Sequence, residues 1–185
     1  AIYVSLQGEL MNRRHFIGIA LCASAAPVFA KQHKNDIRTL AFHHLHTEEK
    51  ISVVYRIGDH YQRSALHKLN HFLRDFRTES SIAMDPGLFD ILYDVKRRLG
   101  DPDGTFEVLS AYRSPQTNAM LRRTSSGVAK RSLHMTGQAI DVRFKDMHCR
   151  KIRDCALALQ RGGVGYYSRS DFVHLDTGNV RRWGA

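Results

Sequence analysis

The stretch Ser132-Leu133-His134-Met135-Thr136-Gly137-Gln138-Ala139-Ile140-Asp141 places an imidazole and a carboxylate on either side of a glycine that permits a turn. A second imidazole, His174, follows well downstream, in Ser170-Asp171-Phe172-Val173-His174-Leu175-Asp176. Two histidines and one carboxylate are a usual protein set for a catalytic zinc, with the fourth position left to water. Residue types alone leave the plainer alternative open, since a surface histidine and a strand-end aspartate recur by accident.

The surrounding pattern says which elements must position these groups. Residues 139–144 alternate, Ala139, Asp141 and Arg143 against Ile140, Val142 and Phe144. That predicts a strand with one apolar, buried face and Asp141 on the other. Short strands are expected at Val164 to Tyr167 and Phe172 to Asp176, with Val180-Arg181-Arg182-Trp183 as a tail. Upstream, the β-formers of 38–45 and 50–57 flank Thr47-Glu48-Glu49 and read as a hairpin. His43, His44 and His46 are poor metal candidates, because strand parity puts His44 and His46 on one face and His43 on the other.

Helical spacing of Leu66, Leu69, Leu73 and Phe76 predicts a helix within Tyr61 to Phe76. A second begins at the cap Asp85-Pro86, buries Leu88, Leu92, Val95 and Leu99, and closes at Gly100. Phe106 to Tyr112 reads as a strand leading to Arg113, and Ser114-Pro115 starts a short third helix. Residues 123–131 are a loop by composition. A fourth helix is expected from a cap at Asp146 to Gly162-Gly163, with His148 on its surface. Strands and helices mix without βα alternation, so the expected class is α+β, with a mainly antiparallel sheet and flanking helices.

The chain has 185 residues, 28 Lys+Arg against 18 Asp+Glu, and a net charge of +10. That balance favours an anionic partner such as a cell wall. The basic residues are scattered and carry no nucleic-acid motif, so nucleic acid is not expected as a partner. Residues 1–30 read as an N-terminal extension and export signal: Met11-Asn12-Arg13-Arg14, a short apolar run, then small residues ending at Ala30. Arg13-Arg14 before Phe16-Ile17 resembles a twin-arginine signal, and the general secretory route fits equally. The run is too short for a membrane span. Cys22 follows a bulky Leu21, which disfavours a lipoprotein site. Residues 31–185 are then a single domain. Its Cys149 and Cys155 fall in a predicted helix, separated by about 9 Å of rise, too far for a disulfide.

The set Ser132-x-His134-x-x-Gly137-x-Ala139-x-Asp141 with Asp171-x-x-His174 resembles the zinc D-alanyl-D-alanine carboxypeptidase family, which includes D,D-dipeptidases and is related in fold to the hedgehog signalling domain. Ser110-Ala111-Tyr112-Arg113-Ser114-Pro115 matches the family's arginine-bearing segment. Phe172 to Gly178 and the Arg182-Trp183 ending are most similar to its YcbK/MepK-type murein endopeptidases. The resemblance spans about Thr39 to Trp183.

It implies Zn²⁺ held by His134, Asp141 and His174, and Asp171 as the general base that takes a proton from the attacking water and passes it to the leaving amine. It implies that Arg113 binds a substrate carbonyl or carboxylate and stabilises the developing oxyanion. Asp176 shares a strand face with His174 and could orient it, and Ser132 could cap the loop before His134. Asp171 has the opposite parity and must reach the site from the preceding turn. Trp183, the only tryptophan, reads as packing rather than sugar stacking.

The function implied is an exported, periplasmic or cell-envelope zinc peptidase that cleaves stem-peptide cross-links in peptidoglycan. The alternatives are a D-alanyl-D-alanine carboxypeptidase or dipeptidase, and a zinc-containing wall-binding module without activity. Asp171 together with Arg113 argues against the last. Oligomeric state is not legible.

Overall fold

The computed structural model describes residues 36–125 and 127–184. The expected export signal lies outside them. Eight strands form one sheet: β1 (Ile37–His44), β2 (Lys50–Ile57), β3 (His60–Tyr61), β4 (Thr105–Ser110), β5 (Ala139–Phe144), β6 (Gly163–Tyr167), β7 (Phe172–Asp176) and β8 (Arg181–Trp183). Their order is β3-β2-β1-β4-β5-β7-β6-β8. Neighbours run antiparallel except β1 with β4 and β6 with β8, so the sheet is mixed and mostly antiparallel.

Helices α1 (Arg63–Phe72), α2 (Pro86–Arg98) and α4 (Cys149–Leu159) pack on one face, α1 on β2, α2 on β1, and α4 on β5 to β7. The core between them holds Leu40, Phe42, Phe106, Val108, Ile140, Val142, Val173 and Leu175 from the strands, and Leu69, Leu88, Leu92 and Ile152 from the helices. Helix α3 (Pro115–Thr124) follows β4.

Local chemistry explains the helix ends. Asp85 caps α2 by accepting from Gly87 N (2.8 Å), and Ser114 caps α3 by accepting from Thr117 N (3.2 Å). In each, proline follows the cap with its φ already set for a helix. Helix α1 stops short of the expected Phe76. The Asp75 carboxylate accepts from Arg77 N (3.0 Å), which offers the backbone an alternative to helix. The fourth helix is not capped by Asp146. A turn closes from Met147 N to Phe144 O (3.1 Å) with Asp146 at φ 60°, and the cap is His148, whose Nδ1 accepts from Arg150 N (3.1 Å). Cys149 and Cys155 are free thiols, as their spacing requires.

Candidate metal centre and cavity

The register of the sheet builds the site. Ser110 pairs with Asp141, Asp141 with His174, His174 with Gly165, and Gly165 with Trp183, one row crossing β4, β5, β7, β6 and β8. Directly paired residues share a face, so this row stands on the side opposite α4. The next row holds Ala139, Asp176 and Gly163. Asp141 does lie opposite the apolar face of β5, but it is buried as well, at 5% exposure.

His134 arrives from a 3-10 turn, Leu133–Thr136, capped by Ser132, whose hydroxyl accepts from His134 N (3.4 Å). The turn exits through Gly137 at φ 70°, where a Cβ would stand 2.6 Å from the Ala83 carbonyl. Only glycine meets both demands without strain. The chain therefore reverses close against the loop before α2, and Asp85 N donates to Gly137 O (2.9 Å).

Three donor atoms converge. His134 Nε2 lies 3.2 Å from His174 Nδ1 and 3.2 Å from Asp141 Oδ1, and His174 Nδ1 lies 2.8 Å from the same oxygen. Their outer bonds fix the protons. His134 Nδ1–H donates to the Ala111 carbonyl (2.6 Å), and His174 Nε2–H donates to Asp176 Oδ2 (3.0 Å). Both partners only accept, so the inward nitrogens present lone pairs toward a carboxylate oxygen. Such a set repels itself unless a cation or proton sits among it. Ligands about 2.0–2.1 Å from a tetrahedral ion lie roughly 3.3 Å apart, close to the spacing found. The donor set fits a small divalent metal.

The electrostatics agree. Burial lowers His134 below its ordinary range. Burial alone would raise Asp141, but His134 and His174 hold its carboxyl well below the usual carboxylate range. Burial would lower His174, and hydrogen bonds to Asp141 and Asp176 outweigh it and raise it. A bound cation would take the place of the proton His174 Nδ1 otherwise attracts.

The supporting groups are equally fixed. Asp176 is fully buried and accepts from Gly163 N (2.9 Å), Gly178 N (2.8 Å), two Arg181 nitrogens (2.6 and 3.0 Å) and His174. Held so firmly, it orients the His174 ring. Arg113 donates through Nη2 to Asp141 Oδ2 and through Nε to Ser110 Oγ (2.8 Å), leaving Oδ1 to face the histidines. Arg113 N also donates to His134 O (3.2 Å).

Beside the triangle opens a cavity of about 480 Å³ lined by Arg113, Arg131, Ser132, His134, Asp141, Tyr167, Phe172, His174, Arg181 and Trp183, among others. Trp183 packs at the cavity wall. Its ring lies 5.1 Å from that of His174, and its Nε1 donates to Tyr167 Oη (2.9 Å) at the cavity wall.

One expected residue is not brought to the cavity. Asp171 sits at φ 49° just before β7, with the parity of Val173 rather than His174. Its carboxylate stands by Cys149 at the start of α4; burial, and then this carboxylate, push the Cys149 thiol up to about 12. Of the described residues lining the cavity, Asp141 is the only carboxylate.

Sequence reading missed Asp75, Arg131, Arg181, and the glycines of β6. The signal was present as Gly163-x-Gly165 and Arg181-x-Trp183, two period-2 patterns that meet only when β6 and β8 pair. His44, read as no ligand, is buried, and its Nδ1 accepts from His46 N (3.2 Å) and Thr47 N (3.4 Å), closing the β1–β2 turn.

Two histidines and a carboxylate that could hold one metal ion, set on the side of a mixed sheet opposite its helices and beside a cavity, are the arrangement found in mononuclear metallohydrolases. The family model described as Peptidoglycan L,D-endopeptidase MepK matches residues 32–183, and the chain belongs to that family. It is 44% identical over 177 residues to the Peptidoglycan L,D-endopeptidase MepK of Escherichia coli (strain K12), covering 93% of this chain and 97% of that one. The Shigella flexneri protein of the same name matches equally. The Probable peptidoglycan L,D-endopeptidase MepK of Haemophilus influenzae is 41% identical, covering 93% of this chain and 95% of that one. No solved structure matches the chain.

Proposed function

We propose that this chain is an exported, zinc-dependent peptidoglycan endopeptidase that hydrolyses an L,D peptide bond in stem-peptide cross-links. The observation that carries the reading is the lone-pair triangle of His134, Asp141 and His174 beside a cavity, in a member of a family named for that activity. Zinc held there would supply a Lewis acid for the scissile carbonyl and bring a water's pKa to about 7. Arg113 keeps its fixed charge at the cavity wall, where it favours a developing oxyanion. Asp171 is the base we assign, taking a proton from the attacking water and returning it to the leaving amine. It flanks the lining residues Ser170 and Phe172, and the role requires its side chain to turn away from Cys149.

The hedgehog/D,D-peptidase-like arrangement of the sheet belongs to the same reading, as does a processed domain of residues 31–185 in the cell envelope. No helix among the described residues is long and apolar enough to cross a membrane.

The test is to incubate the purified protein with zinc and intact peptidoglycan and identify products by mass spectrometry. Cross-linked muropeptides converted to monomers support the endopeptidase and identify the bond. Release of terminal alanine alone would make it a carboxypeptidase. No product from folded, zinc-loaded protein would favour the wall-binding module.

A further inference from the structure

Three arginines line the cavity, and two of them are already ion-paired to carboxylates of the protein. Arg113 is held by Asp141 and Ser110. Arg181 is held by Asp176 through two nitrogens. Arg131 makes no ion pair or hydrogen bond among the described residues, and stands exposed one residue before the Ser132 cap of the turn carrying His134. Its side chain is offered to whatever enters.

We infer that Arg131 is a specificity-determining residue that binds a free carboxylate of the substrate peptide. The inference rests on the peptidase reading of this cavity. Guanidinium presents a fork of donors that matches carboxylate geometry, and such charge-assisted pairs are about twice as strong as neutral hydrogen bonds. Lining cations outnumber the single lining carboxylate, so the cavity attracts anions.

The aromatic part of the same lining completes the ligand class. Tyr167 and Phe172 stack with ring centroids 4.4 Å apart, and Trp183 is tied to Tyr167. These rings take an aliphatic chain. Together the walls offer a donor fork to the carboxylate and aromatic surface to the apolar part of the same peptide.

The test compares cleavage of cross-linked muropeptides with free carboxylates against the same muropeptides converted to carboxamides, using the full zinc-loaded protein and its Arg131→Ala and Arg131→Lys variants. Wild type should favour the carboxylate form by about 10- to 100-fold in kcat/KM. Arg131→Ala should lose most of that preference, chiefly through KM, with zinc content and melting temperature unchanged, and Arg131→Lys should retain part of it. An Arg131→Ala protein that discriminates as wild type does would overturn the inference and leave the peptidase reading standing. A wild type that cleaves neither form would remove both.

Discussion

A Cβ on Gly165 would stand 2.5 Å from Cε2 of Trp183: the glycine of β6 is the space in which the β8 indole lies on its way to the His174 ring. Gly165→Ala should therefore displace Trp183 from the cavity wall. Overpacking of this kind costs about 1–3 kcal/mol. The expected result is a loss of kcat/KM with metal content kept, read by steady-state kinetics alongside the emission of the only tryptophan in the chain. Unchanged emission and kinetics would show that the wall tolerates the methyl group.

The lone-pair triangle predicts what metal removal does. His174→Ala should lose the bound metal and activity together, measured by elemental analysis after dialysis. Asp176→Asn weakens the partner of His174 Nε2. It should reduce metal affinity by about 10–100-fold while still binding at excess zinc. Full zinc occupancy in His174→Ala would remove that residue from the ligand set.

Asp171 is best tested by an isostere. Its φ is 49°, a conformation that Asn adopts readily and Ala does not. Asp171→Asn should abolish turnover with metal content intact. Near-normal turnover would show that the carboxylate belongs to Cys149 and the α4 end alone.

Asp75 holds the segment that carries Arg113 from behind. Its carboxylate accepts from Ser114 N (2.9 Å), next to Arg113, while Tyr112 N is tied to Leu73 O (3.1 Å). Asp75→Ala should leave a buried N–H unsatisfied and cost about 1–3 kcal/mol by denaturant titration, with kcat/KM falling as Arg113 loosens. Asp75→Asn keeps an acceptor and should recover most of both.

Stability should fall in acid because of His44. Burial, and next the charge of His46, push it down from 6.5 to about 4. Between those values the unfolded chain takes a proton that the folded chain does not. The contribution is thus complete above the unfolded value and is lost as pH drops through the folded one, about 3 kcal/mol in all. The difference in unfolding free energy between neutral and mildly acid solution should shrink in His44→Asn, whose side chain can still accept at the turn. An equal pH dependence in both proteins would contradict it.

Local chemistry was enough to read much of this protein. Proline after Asp85 and Ser114 marks two helix starts, because the cap and the fixed proline φ act within one turn of chain. Alternation marks β5 and β7 and puts Asp141 and His174 on definite faces. The motif resemblance named His134, Asp141 and His174, and the structure brings their donor atoms within 4.8 Å of one another. Where the sequence reading was off, at the end of α1 and the start of α4, a side chain bonded its neighbouring backbone instead of continuing or capping the helix as spacing suggested.

Only the tertiary structure decided which patterns meet. Asp141 and His174 face each other because β5 pairs with β7, and strand register is set by the whole sheet rather than by either segment. The same pairing turns Asp171 toward Cys149, and the parallel approach of β8 to β6 lays Arg181 and Trp183 over two glycines to reach Asp176 and His174. Residue types and spacings determine which groups are available; the cross-strand neighbours of each group exist only once the chain has folded.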